Sequence, residues 1–194
     1  MAESVPPEEA FRRLKEGNRR YVSGKPIRPN QSALRREGLL KGERPFAALL
    51  SCSDSRIPPE IIFDCGFGDL FVVRTAGNTC NDATIAALEY AVKQLGIRFI
   101  IVMGHSDCGL VKAALAEEAQ PGKISSIIEQ IRPAVDKVKD LPGDTVSKAT
   151  GENIRMTVAK LSSCEPVLSE KVKSQELMII GAYCTINNAA VSFI

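Results

Sequence analysis

The 194-residue sequence has no tryptophan, a single histidine (His105) and almost no charge imbalance: 25 basic side chains face 23 acidic ones, for a net charge of +2. The near-balance excludes a nucleic-acid binder held by bulk charge, which would carry a basic stripe or face. Low net charge together with 44% apolar residues excludes disorder as the main state. No apolar run approaches the roughly 20 residues that a membrane-spanning helix needs, so no membrane partner is expected. The opening Met1-Ala2-Glu3-Ser4-Val5-Pro6-Pro7 lacks the basic-then-apolar pattern of a secretory leader. The six cysteines are therefore read as reduced thiols in a cytoplasmic protein, where such residues more often serve metal binding or catalysis than disulfides.

What is present fits one domain with a real core. Phe11, Leu14, Asn18, Tyr21 and Val22 recur at helical spacing and predict an amphipathic helix over 8–22, ended by Gly24-Lys25-Pro26. Residues 25–44 are polar and basic without a period and are expected to wrap a surface or a partner subunit. This divides the single domain 1–194 into an N-terminal arm, 1–44, and an α/β core, 45–194. Apolar runs at 46–50, 69–74, 98–104 and 177–183 predict strands, and 191–194 an edge strand. Helices are predicted over 82–95, 110–118, 124–139, 145–163 and 165–173, with Pro133 kinking or breaking the third of these. Strands alternating with helices predict a parallel β-sheet flanked by helices. Ligands in such sheets bind beyond the carboxyl ends of the strands. Cys52 to Arg56 and His105 to Gly109 each follow a strand directly, so both belong to that edge.

These two segments carry the chemistry. Cys52 and the H-x-x-C of His105-Ser106-Asp107-Cys108 together supply two thiolates and one imidazole. That donor set suits zinc better than magnesium or calcium and leaves a fourth position open. A cysteine after a strand is also commonly a small buried hydrophobe, and on spacing alone both readings stand. Asp54 and Arg56, two residues apart, share a face if the segment is extended and can pair. The pair either fixes a loop or lets Arg56 orient Asp54 beside a metal. In that second role Asp54 accepts a hydrogen bond from a zinc-bound hydroxide, or ligates zinc itself and closes the site.

The segments Cys52-Ser53-Asp54-Ser55-Arg56, Gly68-Asp69-Leu70-Phe71-Val72-Val73-Arg74, Ala76-Gly77-Asn78, Leu88-Glu89-Tyr90-Ala91-Val92 and Gly104-His105-Ser106-Asp107-Cys108-Gly109 resemble those of the β-class carbonic anhydrases. The N-terminal Leu14 to Val22 resembles that family's entry helix, and Gly181-Ala182-Tyr183 its last core strand. The resemblance implies a zinc enzyme, one Zn²⁺ per subunit, in which a zinc-bound hydroxide hydrates carbon dioxide reversibly to bicarbonate and a proton. It implies Cys52, His105 and Cys108 as zinc ligands, Asp54 and its partner Arg56 as catalytic residues, and Asp54 as fourth ligand in the closed form. Phe71, Ala76 and Tyr90 match positions lining the carbon dioxide pocket, with Gly109 beside it. A homodimer or homotetramer is implied, with the N-terminal helix packed on the partner.

The sequence also departs from the family. Lys41-Gly42-Glu43-Arg44-Pro45 places Glu43 where the family carries a substrate-site Gln, and an ionised Glu can only accept hydrogen bonds. Glu43→Gln is therefore expected to raise activity. Thr75 replaces a common Asn, and Asn187-Asn188-Ala189 a Thr-Gly turn. With its sole histidine on zinc, the chain has no imidazole for proton transfer. Proton export is expected to run through water and buffer, with Asp54 in the chain. Cys65, Cys80, Cys164 and Cys184 are expected to serve packing, with Cys80 nearest the pocket rim. Two other readings compete: a zinc hydrolase of carbonyl sulfide or carbon disulfide, and a non-catalytic zinc-binding homologue.

Overall fold

The computed structural model describes residues 4–116 and 121–194. Five strands form one sheet in the order β2-β1-β3-β4-β5. They are β1 (Ala47–Cys52), β2 (Leu70–Thr75), β3 (Phe99–His105), β4 (Met178–Cys184) and β5 (Val191–Phe193). The first four pair in parallel and β5 returns antiparallel along β4. Every residue of β1 and β3 is buried, as their unbroken apolar runs require of central strands covered on both faces.

The helices are α1 (Pro7–Val22), α2 (Ala33–Gly38), α3 (Pro59–Ile62), α4 (Asp82–Leu95), α5 (Gly109–Leu115), α6 (Ile124–Asp136), α7 (Thr145–Ser162) and α8 (Val167–Lys173). One face of the sheet is packed by Ala10 and Leu14 of α1, Ile62 and Phe63, and the apolar sides of α5 and α6. The other takes Leu88 and Ala91 of α4, Ile154 and Leu161 of α7 and Leu168 of α8. Local signals set the limits of α4: the Asn81 side chain accepts from Thr84 N at its start, and Gly96 adopts a left-handed φ of 70° at its end.

One expectation changes, at Pro133, and the packing of the N-terminal segment becomes specific. The apolar stripe of α1 lies on its own sheet, with the Phe11 ring 4.8 Å from that of Phe193 and 6.0 Å from that of Phe99. Asn18 fastens it further, donating to Ile62 O (3.2 Å) and Ala189 O (2.8 Å) and accepting from Val191 N (3.0 Å). The surface that residues 27–30 wrap is likewise the chain's own: Asp64 accepts from the N–H groups of Ile27 and Arg28, and Asn30 donates to Asp69. Helix α6 runs unbroken through Pro133, because the fixed φ of proline suits a helix and Ile128, Ile131, Ala134 and Val135 bury the surrounding turns. The helix predicted over 110–118 is seen as α5; its last two residues lie outside the described ones.

The chain leaves β1 for β2 on one side and then crosses back to β3 on the other. The carboxyl ends of β1 and β3 therefore flank a switch point, where diverging connections leave a crevice. Cys52 is the last residue of β1 and His105 the last of β3.

Candidate metal centre

Cys52, His105 and Cys108 converge in that crevice. Their Sγ and ring nitrogen atoms lie within 4.8 Å of one another, and all three residues are buried. Cys108 immediately precedes α5, while Cys52 and His105 are fixed by the sheet. The imidazole tautomer is set by a 2.8 Å contact between Nδ1 and the carbonyl oxygen of Ser106, which makes Nδ1 the donor. Nε2 is then a bare acceptor, buried and, among the described residues, without a hydrogen-bond partner. An orphaned imidazole nitrogen facing two thiols is what a metal site leaves behind. Two soft sulfur donors and one imidazole fit zinc.

The local electrostatics set the two thiols apart. A hydrogen bond from Cys108 lowers the Cys52 thiol, aided by the backbone N–H groups of Asp54 and Gly77, while Cys108 is raised in return. Gly77 N donates to Cys52 Sγ at 3.3 Å. That approach needs glycine: Gly77 has φ 67°, and a Cβ there would come 2.7 Å from Ile131 Cδ1.

Asp54 and Arg56 do pair, but through a turn rather than an extended segment. Asp54 Oδ1 accepts from Arg56 N and Nε, both at 2.9 Å, and Oδ2 from Nη2 at 2.7 Å. Ile57 N reaches back to Asp54 O at 3.2 Å and closes the turn. The Arg56 guanidinium holds the Asp54 carboxyl well below the usual carboxylate range. Oδ2 of Asp54 stands 3.9 Å from His105 Nε2, so the carboxylate borders the three-residue cluster.

The other predicted residues divide into two groups. Ala76 begins the short 3-10 turn Ala76–Asn78 that carries Gly77, and Gly109 follows Cys108, so both border the centre. Phe71 and Tyr90 meet each other, ring centroids 6.2 Å apart, but away from it. Phe71 sits opposite Ala48, four residues before Cys52, roughly 13 Å along the sheet. Glu43 is exposed at the amino end of β1, opposite the end that bears Cys52. Sequence reasoning gave no role to Gly77, to the Ser106 carbonyl or to Lys112, whose ammonium pairs with Asp107. The positive φ of Asp107 (60°) and Gly77 (67°) is a backbone property invisible to residue spacing.

The spare cysteines are free thiols, Cys65, Cys80 and Cys184 buried and Cys164 half-buried. Burial raises Cys65 to about 12 and Cys184 to about 11, which suits packing rather than reactivity. Cys80 lines a separate cavity of about 250 Å³ with Asn153 and Lys160. Among the described residues no helix is long and apolar enough to cross a membrane.

The carbonic anhydrase family model matches residues 47–191. Carbonic anhydrase 2 of Mycobacterium tuberculosis is 40% identical over 179 residues, covering 90% of this chain and 86% of its own length. A carbonic anhydrase of Mycolicibacterium smegmatis is 36% identical over 179 residues, covering 90% and 87%. The solved structure of the β-carbonic anhydrase CcaA superposes with a TM-score of 0.74 at 30% identity, covering 95% of this chain and 98% of that one. The Coccomyxa β-carbonic anhydrase solved with acetazolamide gives 0.76 at 26% identity, covering 92% and 83%.

Proposed function

The chain belongs to the β-class carbonic anhydrases, and we propose that it interconverts carbon dioxide and bicarbonate at one zinc ion held by Cys52, His105 and Cys108. The observation that carries this reading is the buried, unpartnered His105 Nε2 facing two thiols at the sheet's switch point. When bound, zinc supplies a Lewis acid that lowers the pKa of water and so makes a nucleophile near neutral pH.

The remaining work falls to this chain's residues. Two thiolates and a neutral imidazole cancel the metal's charge, so orientation of the reacting water matters more than in an all-histidine site. Asp54, kept ionised by Arg56, presents an acceptor oxygen on the open side and can take a hydrogen bond there. The positive face of Arg56 attracts the bicarbonate product. Neither ring nitrogen of His105 is free to carry protons, since Nδ1 is tied to Ser106 and Nε2 faces the metal position. Protons therefore leave through water and buffer. The readings as a carbonyl sulfide or carbon disulfide hydrolase, or as a non-catalytic homologue, gain nothing from the named relatives.

We further infer an oligomer. Helix α2 buries none of its residues, and Leu34 and Leu40 are 78% and 82% exposed. Phe67 and Tyr90 are also large apolar side chains left exposed. Phe71, Tyr90 and Glu43 serve a carbon dioxide pocket only if a second copy brings them to the metal. Stopped-flow carbon dioxide hydration across pH, with bound zinc quantified, tests the main reading. Activity proportional to zinc content is expected; a zinc-loaded protein no faster than buffer overturns it.

A further inference from the structure

Arg56 is shared unequally between two carboxylates. Its fork grips Asp54 at 2.7 and 2.9 Å, while its Nη1 stands 3.9 Å from Asp107 Oδ2. Asp107 belongs to the loop between the two ligands His105 and Cys108 and adopts a left-handed backbone there, φ 60°. Its other oxygen is taken by Lys112, one turn into α5. All three side chains outside Asp54 are about half exposed, so none is locked by packing. Without a counter-ion, Asp107 would be a second full negative charge within reach of the same guanidinium.

We propose that Lys112 is a positioning residue for the metal centre: by neutralising Asp107 it leaves the Arg56 fork to Asp54. Loss of Lys112 lets Asp107 draw Arg56 across the short remaining gap. Asp54, whose Oδ2 is 3.9 Å from His105 Nε2, is then released toward the open side of the three ligands. Lys112 thus sets the balance between a carboxylate held by arginine and one free to occupy the fourth metal position. The charge at position 112 is what matters, so Lys112→Arg retains the effect and Lys112→Met removes it. Neutralising the competitor in Lys112→Met/Asp107→Asn restores the parent's behaviour.

Two readouts test this, and only the second rests on the zinc reading above. The first is the crystal structure of metal-free Lys112→Met beside the metal-free parent. An Arg56–Asp107 contact at hydrogen-bond distance is expected in the variant; an unchanged Arg56–Asp54 fork overturns the proposal whether or not the protein is a zinc enzyme. The second is the rate at which the zinc-loaded proteins lose metal to an excess of chelator at low salt. A fourth protein ligand slows that loss, so a two- to fivefold slower release is expected for Lys112→Met, with parent-like rates for Lys112→Arg and the double variant. Equal release rates for parent and Lys112→Met, or a double variant as slow as the single one, overturn it. A parent that binds no zinc overturns the metal assignment instead, and the crystallographic comparison then decides the proposal alone.

Discussion

Arg74 holds the backbone of Asp54 from the neighbouring strand. Its Nη2 donates to the Asp54 carbonyl oxygen at 2.6 Å and its Nε to that of Cys52 at 3.0 Å. Cys52 of the candidate metal centre and the carboxylate beside it are thus clamped by one planar group projecting from β2. Lysine offers no comparable fork.

Arg74→Ala and Arg74→Lys are both expected to lower kcat/KM about tenfold, equivalent to about 1.4 kcal/mol of transition-state stabilisation. Stopped-flow kinetics beside urea unfolding checks this. Because the side chain is exposed, a loss of stability that accounts for the whole effect would contradict it.

Removing the metal should cost both activity and stability. Zinc held at about a thousandfold above Kd stabilises the folded state by about 4 kcal/mol. A chain of this size shifts its Tm by about 2–4 °C per kcal/mol. Chelation is therefore expected to lower Tm by about 10 °C, and Cys108→Ser to abolish stoichiometric zinc binding, as measured by calorimetry and elemental analysis.

Asp64 links acid stability to the docking of the arm. Burial alone would raise its carboxyl, but hydrogen bonds from Arg20, Ile27 and Arg28 prevail and hold it below the ordinary range. A depressed folded-state pKa contributes stability above the unfolded value of about 3.9 and loses it as pH falls through the folded one. Asp64→Asn is expected to cost about 3 kcal/mol at pH 7, since it leaves a half-buried arginine without its counter-charge. It should also flatten the stability profile below about pH 4. Urea titrations at several pH values measure both.

Gly17→Ala should destabilise despite the better helix former. The gain in helix propensity is about 1 kcal/mol, but the added Cβ would fall 1.9 Å from Phe63 O, against backbone that cannot yield. Overpacking of this kind costs about 1–3 kcal/mol, and a clash with backbone belongs at the upper end of that range, so a net loss of up to about 2 kcal/mol is expected in denaturant titration. A stability gain would refute the tight α1 contact.

Charging the exposed arm should break the assembly. Leu34→Glu together with Leu40→Glu is expected to shift sedimentation from oligomer to monomer with the sheet intact by circular dichroism. An unchanged sedimentation coefficient would place the interface elsewhere.

The strands and the meeting of Cys52, His105 and Cys108 were legible because their signals are local. β1 and β3 are unbroken apolar runs, and Cys52 and His105 terminate them. The Asp54–Arg56 pairing was also legible, although its turn geometry was not, since Ile57 N closing on Asp54 O leaves no trace in residue type. α2 and α3, six and four residues long, are too short to display a period. The roles of Asp64, Arg74 and Lys112 depend on partners brought near by the fold or by a left-handed backbone, which no spacing rule encodes. The sheet face that covers the α1 stripe was illegible for the same reason: an apolar stripe declares that it will be covered, not by which surface.

Asn18 is bonded to Ala189 across 171 positions of chain and to Val191 across 173. During synthesis at about 5–20 residues per second, its partners emerge many seconds after it does. The first helix cannot finish docking until the last strand has left the ribosome. Phe63 and Phe99 emerge earlier and cover part of its apolar stripe, but the Phe193 side and the Asn18 amide must wait, which leaves this helix half-docked and in need of shelter while the stretch between them is made.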